Sequence, residues 1–207
     1  MDPKFNILIR SSSLADHDKD RPNMLSRCIE SIRSQSYQNV RLIVSSDNPD
    51  DVENIKSLLT DDDTLLELNR EDIKTSVGGA REFYNLYCNI LAREVDEGWL
   101  MFIDDDDYYV ANALPMIHQM LHVKNFDEDT MFFWMMENSV GRTYPAGDEI
   151  VIGDVGTPMF CIHSSKKDLV NFRETQSGDG QGILELKEKI KNHHLMRAVL
   201  VKVGEDL

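Results

Sequence analysis

The apolar run Gly98-Trp99-Leu100-Met101-Phe102-Ile103 passes without a break into four consecutive aspartates, Asp104 to Asp107. A short uninterrupted apolar run is what a strand covered on both faces requires, and such strands belong to parallel sheets flanked by helices. The end of this strand therefore delivers carboxylates to one edge of a sheet. Like charges so close raise one another's pKa, so the four cannot all ionise cheaply without a cation among them. Hard oxygen donors suit Mg²⁺ or Mn²⁺, and ions held this way most often face a phosphate-bearing ligand. An acidic surface loop is the plainer reading, but such loops seldom follow so apolar a run directly.

Two rival readings of the same four aspartates are weighed against this one. An EF-hand loop starting at Asp104 needs Gly at its sixth position and Glu at its twelfth, where Tyr109 and Pro115 stand. A phosphatase with an aspartyl nucleophile carries its D-x-D on the first strand of the fold, and this run is the fourth.

The first half of the chain alternates strands and helices. Phe5 to Ile9 reads as a strand, and Pro22 opens a helix with Met24, Leu25, Cys28, Ile29 and Ile32 on one face. Val40 to Val44 is a second strand, followed by a helix that Asp50 and Glu53 would cap. Leu65 to Leu68 is a third strand. A helix opening at Gly78-Gly79-Ala80-Arg81 carries Phe83, Leu86, Tyr87, Ile90, Leu91 and Val95, and a helix over Leu114 to Val123 follows the acidic run. This order predicts an α/β fold with a mostly parallel central sheet flanked by helices. Beyond Thr130 the pattern changes to strands at Met131–Met136, Glu149–Ile152 and Met159–Ile162, two short helices, and a last strand at Ala198–Val203. We expect a single domain over 1–207, with an alternating strand–helix half at 1–113 and a smaller, mixed half at 114–207.

A net charge of −15 over 207 residues argues against nucleic acid as a partner, because a basic face must replace its counterions. Cys28, Cys88 and Cys161 are odd in number and far apart, which fits neither a disulfide framework nor a zinc ribbon. No leader peptide is evident and no apolar run is long enough for a membrane span, so a cytoplasmic location is expected.

In a parallel sheet, ligands gather beyond the carboxyl ends of the strands. Those ends carry Arg10-Ser11-Ser12-Ser13, Ser46-Asp47-Asn48 and Asp104 to Asp107. Arg81 falls in a first helical turn, where a cation opposes the helix dipole, and this favours a ligand-facing role. Asp179, in Ser177-Gly178-Asp179-Gly180, sits on a glycine-flanked loop from which a carboxylate can approach a hydroxyl as general base; Asp154 is the second candidate. His118 and His122 are four residues apart but lack the Glu of an H-E-x-x-H site, so a half-buried helix face is expected. His193-His194 reads as a solvated turn.

Together Asp47, the helix start at Gly79-Ala80-Arg81 and Phe102-Ile103-Asp104-Asp105-Asp106-Asp107 resemble the GT-A glycosyltransferases of family 2. The likeness is close over Phe5 to Ala113 and general beyond. It implies a Rossmann-like GT-A domain with a nucleotide-binding half at 1–113 and an acceptor and catalytic-base half at 114–207. It further implies Ser11 beside the nucleotide, Asp47 and Arg81 on the base (usually uracil), and Asp104 on the ribose, with Asp105 also on the donor. Asp106, assisted by Asp104 and Asp107, would hold Mn²⁺ or Mg²⁺, and Asp179 would be the base. The implied partners are a UDP-sugar and an acceptor hydroxyl on a glycan or glycoprotein, with inversion at the transferred carbon. Three positions depart from the family pattern: Ser46 replaces an acidic residue, Glu82 rather than Asn follows Arg81, and Gly178 replaces Glu before the base. The compact chain is also similar in size to glycosyltransferase domains of large algal DNA viruses, which would place it in host cytoplasm. A non-catalytic nucleotide-sugar or glycan-binding module is the alternative from another class. A nucleotidyltransferase would need a basic glycine-rich loop that Arg10 to Ser13 does not supply.

Overall fold

The computed structural model describes residues 2–11, 21–76, 85–175 and 178–204. In chain order its regular elements are β1 (Phe5–Arg10), α1 (Arg21–Arg33), β2 (Val40–Ser46), α2 (Val52–Leu58), β3 (Thr64–Glu67), α3 (Arg70–Ser76), α4 (Asn85–Arg93) and β4 (Trp99–Asp104). They continue with β5 (Tyr108–Tyr109), α5 (Ala113–Val123), β6 (Thr130–Glu137), β7 (Thr143–Tyr144), β8 (Phe160–His163), α6 (Gly178–Lys189) and β9 (Asn192–Lys202).

One sheet runs through both halves in the order β3-β2-β1-β4-β8-β6-β9-β5, with β7 added beside β6. The first four strands in that order are all parallel, as the strand–helix alternation predicts. Beyond β4 the pairing is mixed: β8 is antiparallel to β4 and β6, whereas β9 runs parallel to β6. The register Ile9↔Ile103 and Arg10↔Asp104 brings the ends of β1 and β4 level.

Alternation along the strands splits the core into two layers. Phe5, Ile7, Ile9, Trp99, Met101 and Ile103 face one side, where α1 and α5 cover them with Leu25, Cys28, Ile29, Leu114 and Ile117. Leu8, Leu100 and Phe102 face the other, under Cys88 and Leu91 of α4 and Ile183 and Leu186 of α6. Each large apolar side chain buried this way contributes about 1.5–3 kcal/mol, which explains why β4 reads as an unbroken apolar run and β1 as one interrupted only by the buried Asn6. All three cysteines are free and buried. Among the described residues no helix is long and apolar enough to cross a membrane.

Four local expectations are corrected. Glu149–Ile152 is not a strand; it lies in a turn closed by Asp154 N–H on the Val151 carbonyl, with Val151 and Ile152 exposed. His193-His194 is not a turn: β9 begins six residues before Ala198, and these two residues pair with Met131 and Phe132. The cap before α2 is Asn48, whose side chain accepts from Asp50 N–H, while Asp51 at the N-cap of α2 makes no side-chain cap. Helix α3 was not expected; Asn69 caps it, accepting from the backbone of Glu71 and Asp72. The predicted helix start at Gly78–Arg81 lies outside the described residues.

Candidate active site

The four aspartates form the tight turn between β4 and β5, closed by Asp107 N–H on the Asp104 carbonyl at 3.1 Å. β5 then pairs with β9, so the turn is anchored on both sides by the sheet. Arg27 supports it from α1 by donating to the Asp106 carbonyl at 2.9 Å. The turn divides the carboxylates. Asp105 points inward, 2% exposed, and accepts from the Ser11 hydroxyl at 2.7 Å. Asp104, Asp106 and Asp107 converge instead, each offering an oxygen within 4.8 Å of the others.

The convergent three carry the electrostatic conflict foreseen for adjacent carboxylates. Burial, then the charges of Asp104 and Asp106, push the Asp107 carboxyl well above its ordinary range, although Gly204 N–H and Arg10 pull the other way. Three acceptor-only groups of hard oxygen, one of them disfavoured as an anion, form a donor set that fits a divalent cation. One compensating cation is already built in: Arg10, at the end of β1, donates to Asp104 at 2.8 Å.

Asp47, one residue past β2, is 7% exposed and accepts from the Tyr87 hydroxyl of α4 at 2.7 Å. It borders a hollow of about 430 Å³ between the ends of β2 and β3, lined also by Asn48, Glu67, Asn69 and Arg70. The Tyr87 hydroxyl fixes where the Asp47 carboxylate can point. A hydrogen bond to a charged group is worth about 1.5–3 kcal/mol. Tyr87→Phe is therefore expected to weaken nucleotide binding by about tenfold, roughly 1.4 kcal/mol, without unfolding the protein. Calorimetry with UDP alongside a thermal melt checks this; wild-type affinity in the variant would mean that Asp47 needs no such support.

Asp179 and Asp154 line one cavity of about 290 Å³, together with Met136, Tyr144, Val155 and Gly156. Asp179 opens α6 and accepts from Gly180 N–H at 2.7 Å. Burial raises its pKa; Gly180 N–H opposes the shift, the nearby Asp104 charge adds to it, and Arg10 opposes it. The glycine before it has a packing reason. A β-carbon on Gly178 would lie 2.0 Å from the Arg173 carbonyl oxygen and 2.8 Å from Asn85 Nδ2. A larger residue there would force the Arg173 backbone or α6 to shift. Gly178→Ala is expected to destabilise the fold by about 1–3 kcal/mol, the usual cost of overpacking, and to displace Asp179. A melting temperature equal to wild type would refute that close seating.

The structure thus brings Ser11, Asp104, Asp105, Asp106 and Asp107 to one strand-end turn, with Asp47 at the next strand end and Asp154 beside Asp179. Arg81 lies outside the described residues. Neither histidine pair joins the site: His118 stacks on Tyr37 at 4.8 Å, and His193 and His194 sit on β9. The sequence reading missed Tyr87, taken only as a core residue, and Asn69-Arg70, whose polar surroundings carry no apolar period. It also missed Gly204, which comes from the far end of the chain to donate to Asp107.

Residues 19–155 match the family Glycosyl transferase family 2, a span that holds Asp47, Asp104 to Asp107 and Asp154 but ends before Asp179. No curated protein sequence matches the chain. Among solved structures, S. aureus TarS 1–349 is similar with a TM-score of 0.71 at 12% identity, over 97% of this chain and 60% of that one. S. aureus TarS 1–349 in complex with UDP-GlcNAc gives 0.69 at 11% identity, over 99% and 59%. The longer TarS chain gives 0.68 at 12% identity, over 97% of this chain and 36% of its own length. At such identities the likeness concerns the fold, and this chain spans about 60% of the TarS 1–349 chain. The likeness to algal-virus domains has no support among these relatives. With four parallel strands, the fourth ending at an acidic turn, and a family match over residues 19–155 that takes in three of those strands and the turn, the chain has the GT-A fold and belongs to glycosyl transferase family 2.

Proposed function

We propose that the protein transfers a sugar from a nucleotide-diphosphate donor, by preference a UDP-sugar, to an acceptor hydroxyl on a glycan or glycoprotein. The observation that carries this reading is the convergence of Asp104, Asp106 and Asp107 within 4.8 Å, close enough to Asp179 for Asp104 to raise its pKa. Complexes of TarS with UDP-GlcNAc and with UDP support the choice of nucleotide. Asp47 and Arg81 would contact the base, with Ser11, Asp104 and Asp105 around the remainder of the nucleotide.

Asp104, Asp106 and Asp107 would hold Mn²⁺ or Mg²⁺, which when bound neutralises charge on the diphosphate leaving group. Asp179 would take the proton of the acceptor hydroxyl as its oxygen bonds to the sugar's C1 and the C1–diphosphate bond breaks. Attack from the face opposite the leaving group inverts C1. Asp154, on the same cavity, would orient the acceptor and is the second candidate for the base.

The test is release of UDP from UDP-GlcNAc and other UDP-sugars with Mn²⁺, measured with and without glycan acceptors. Slow UDP release without acceptor, accelerated by one acceptor, is the expected result. Tight UDP binding with no release under any condition would instead establish a non-catalytic nucleotide-sugar-binding module.

A further inference from the structure

We propose that Asn85 is a positioning residue that ties Asp104, through Arg10, to the segment entering α6, and so sets where Asp179 stands during transfer. The proposal rests on the reading of Asp179 as the base.

Asn85 opens the described part of α4 and is 4% exposed. Its Oδ1 accepts from Arg10 Nη1 at 3.0 Å, while Nδ2 donates to the carbonyls of Arg173 and Thr175 at 3.0 Å each. The partners fix the amide's orientation, because a guanidinium can only donate and a carbonyl can only accept. The other terminal nitrogen of Arg10 holds Asp104. On the far side the linkage continues into α6: Gly178 N–H donates to the Thr175 carbonyl at 2.8 Å, and Asp179 follows directly. A chain of hydrogen bonds therefore runs from the acidic turn to Gly178, the residue bonded to the base. Its members come from β1, α4, β4 and the segment before α6.

Asn89, one turn along α4, is an internal control. It grips the same segment, exchanging hydrogen bonds with the Phe172 backbone at 2.9 and 2.7 Å. Among the described residues its side chain bonds that segment alone, whereas Asn85 also holds Arg10. Loss of either amide loosens 172–175, but only loss of Asn85 cuts the tie to Asp104.

The experiment compares Asn85→Ala and Asn89→Ala with wild type, using UDP affinity with Mn²⁺, kcat and KM for the donor, thermal melts, and hydrogen exchange of amides 178–180. We expect both variants to melt earlier. In Asn85→Ala, kcat should fall at least tenfold with donor KM and UDP affinity within threefold of wild type, and exchange at 178–180 should rise at least tenfold. Asn89→Ala should keep kcat within threefold. Equal kcat losses in the two variants would overturn the proposal, as would a parallel loss of UDP affinity in Asn85→Ala. Unchanged exchange at 178–180 would overturn it even for a protein without activity. A wild type that neither binds UDP nor turns over a sugar nucleotide would sink the proposed function instead, and the exchange comparison would still decide the tie. If Asn85→Ala does not fold, Asn85→Ser takes its place in the same comparison.

Discussion

Asp179→Asn is expected to fold, to bind UDP as tightly as wild type, and to lose transfer by about 10²–10⁴-fold, the usual worth of a positioned general base. Asparagine keeps the shape and can still accept from Gly180 N–H, so α6 has no reason to move. It cannot take a proton. The pH dependence follows with a definite sign. Burial lifts the Asp179 carboxyl above its ordinary range, and a base acts only when ionised. Transfer should therefore fall as pH drops through that raised pKa, with the acid limb of kcat/KM above the roughly 3.9 of an ordinary Asp. Steady-state kinetics from pH 4 to 8 with wild type, Asp179→Asn and Asp179→Glu checks both parts. Undiminished transfer by Asp179→Asn would move the base to Asp154.

Asp106→Ala is expected to remove the metal dependence of nucleotide binding. Of the convergent aspartates, Asp104 is partly committed to Arg10 and Asp107 is buried and accepts from Gly204 N–H. Asp106 keeps a half-exposed side chain at the turn, with its backbone carbonyl held by Arg27. Altering only the outer partners of a metal site commonly costs 10–100-fold in affinity, so deleting a ligand should cost at least about 100-fold. Calorimetric titration of UDP with Mn²⁺ reads this directly. Removing a carboxylate from the crowded turn also relieves repulsion on Asp107, so the variant should melt no earlier than wild type. Binding that stays both tight and metal-dependent would remove Asp106 from the site.

What could be read from the chain in advance follows from how far each signal extends along it. The strands β1 and β4 were legible because both of their faces are buried, so that Phe5–Ile9 and Trp99–Ile103 hold a single polar residue, Asn6. That the polar ends of the parallel strands lie side by side was legible too, since parallel topology levels them. Helix α3 was not legible, because Arg70 to Ser76 holds one apolar residue, Ile73, and so has no period to detect. The early part of β9 was obscured by a mixed sequence along a half-exposed strand, and Glu149–Ile152 had a strand's composition but pairs with no strand among the described residues. Within the site, the acidic run announced itself, yet the division that sends Asp105 inward and the other three together belongs to the turn. The supports were least legible of all. Tyr87 reaches Asp47 across 40 residues and Arg10 reaches Asn85 across 75, and such contacts leave no local pattern.

The central claim, a divalent metal and a uridine diphosphate held together at the ends of β2 and β4, is tested most directly by titrating wild-type protein with UDP in the presence and absence of Mn²⁺, with GDP, CDP and ADP as comparators. The account predicts binding that needs the metal and prefers UDP over the other three. Binding of no nucleotide under either condition, or binding indifferent to Mn²⁺, would contradict it.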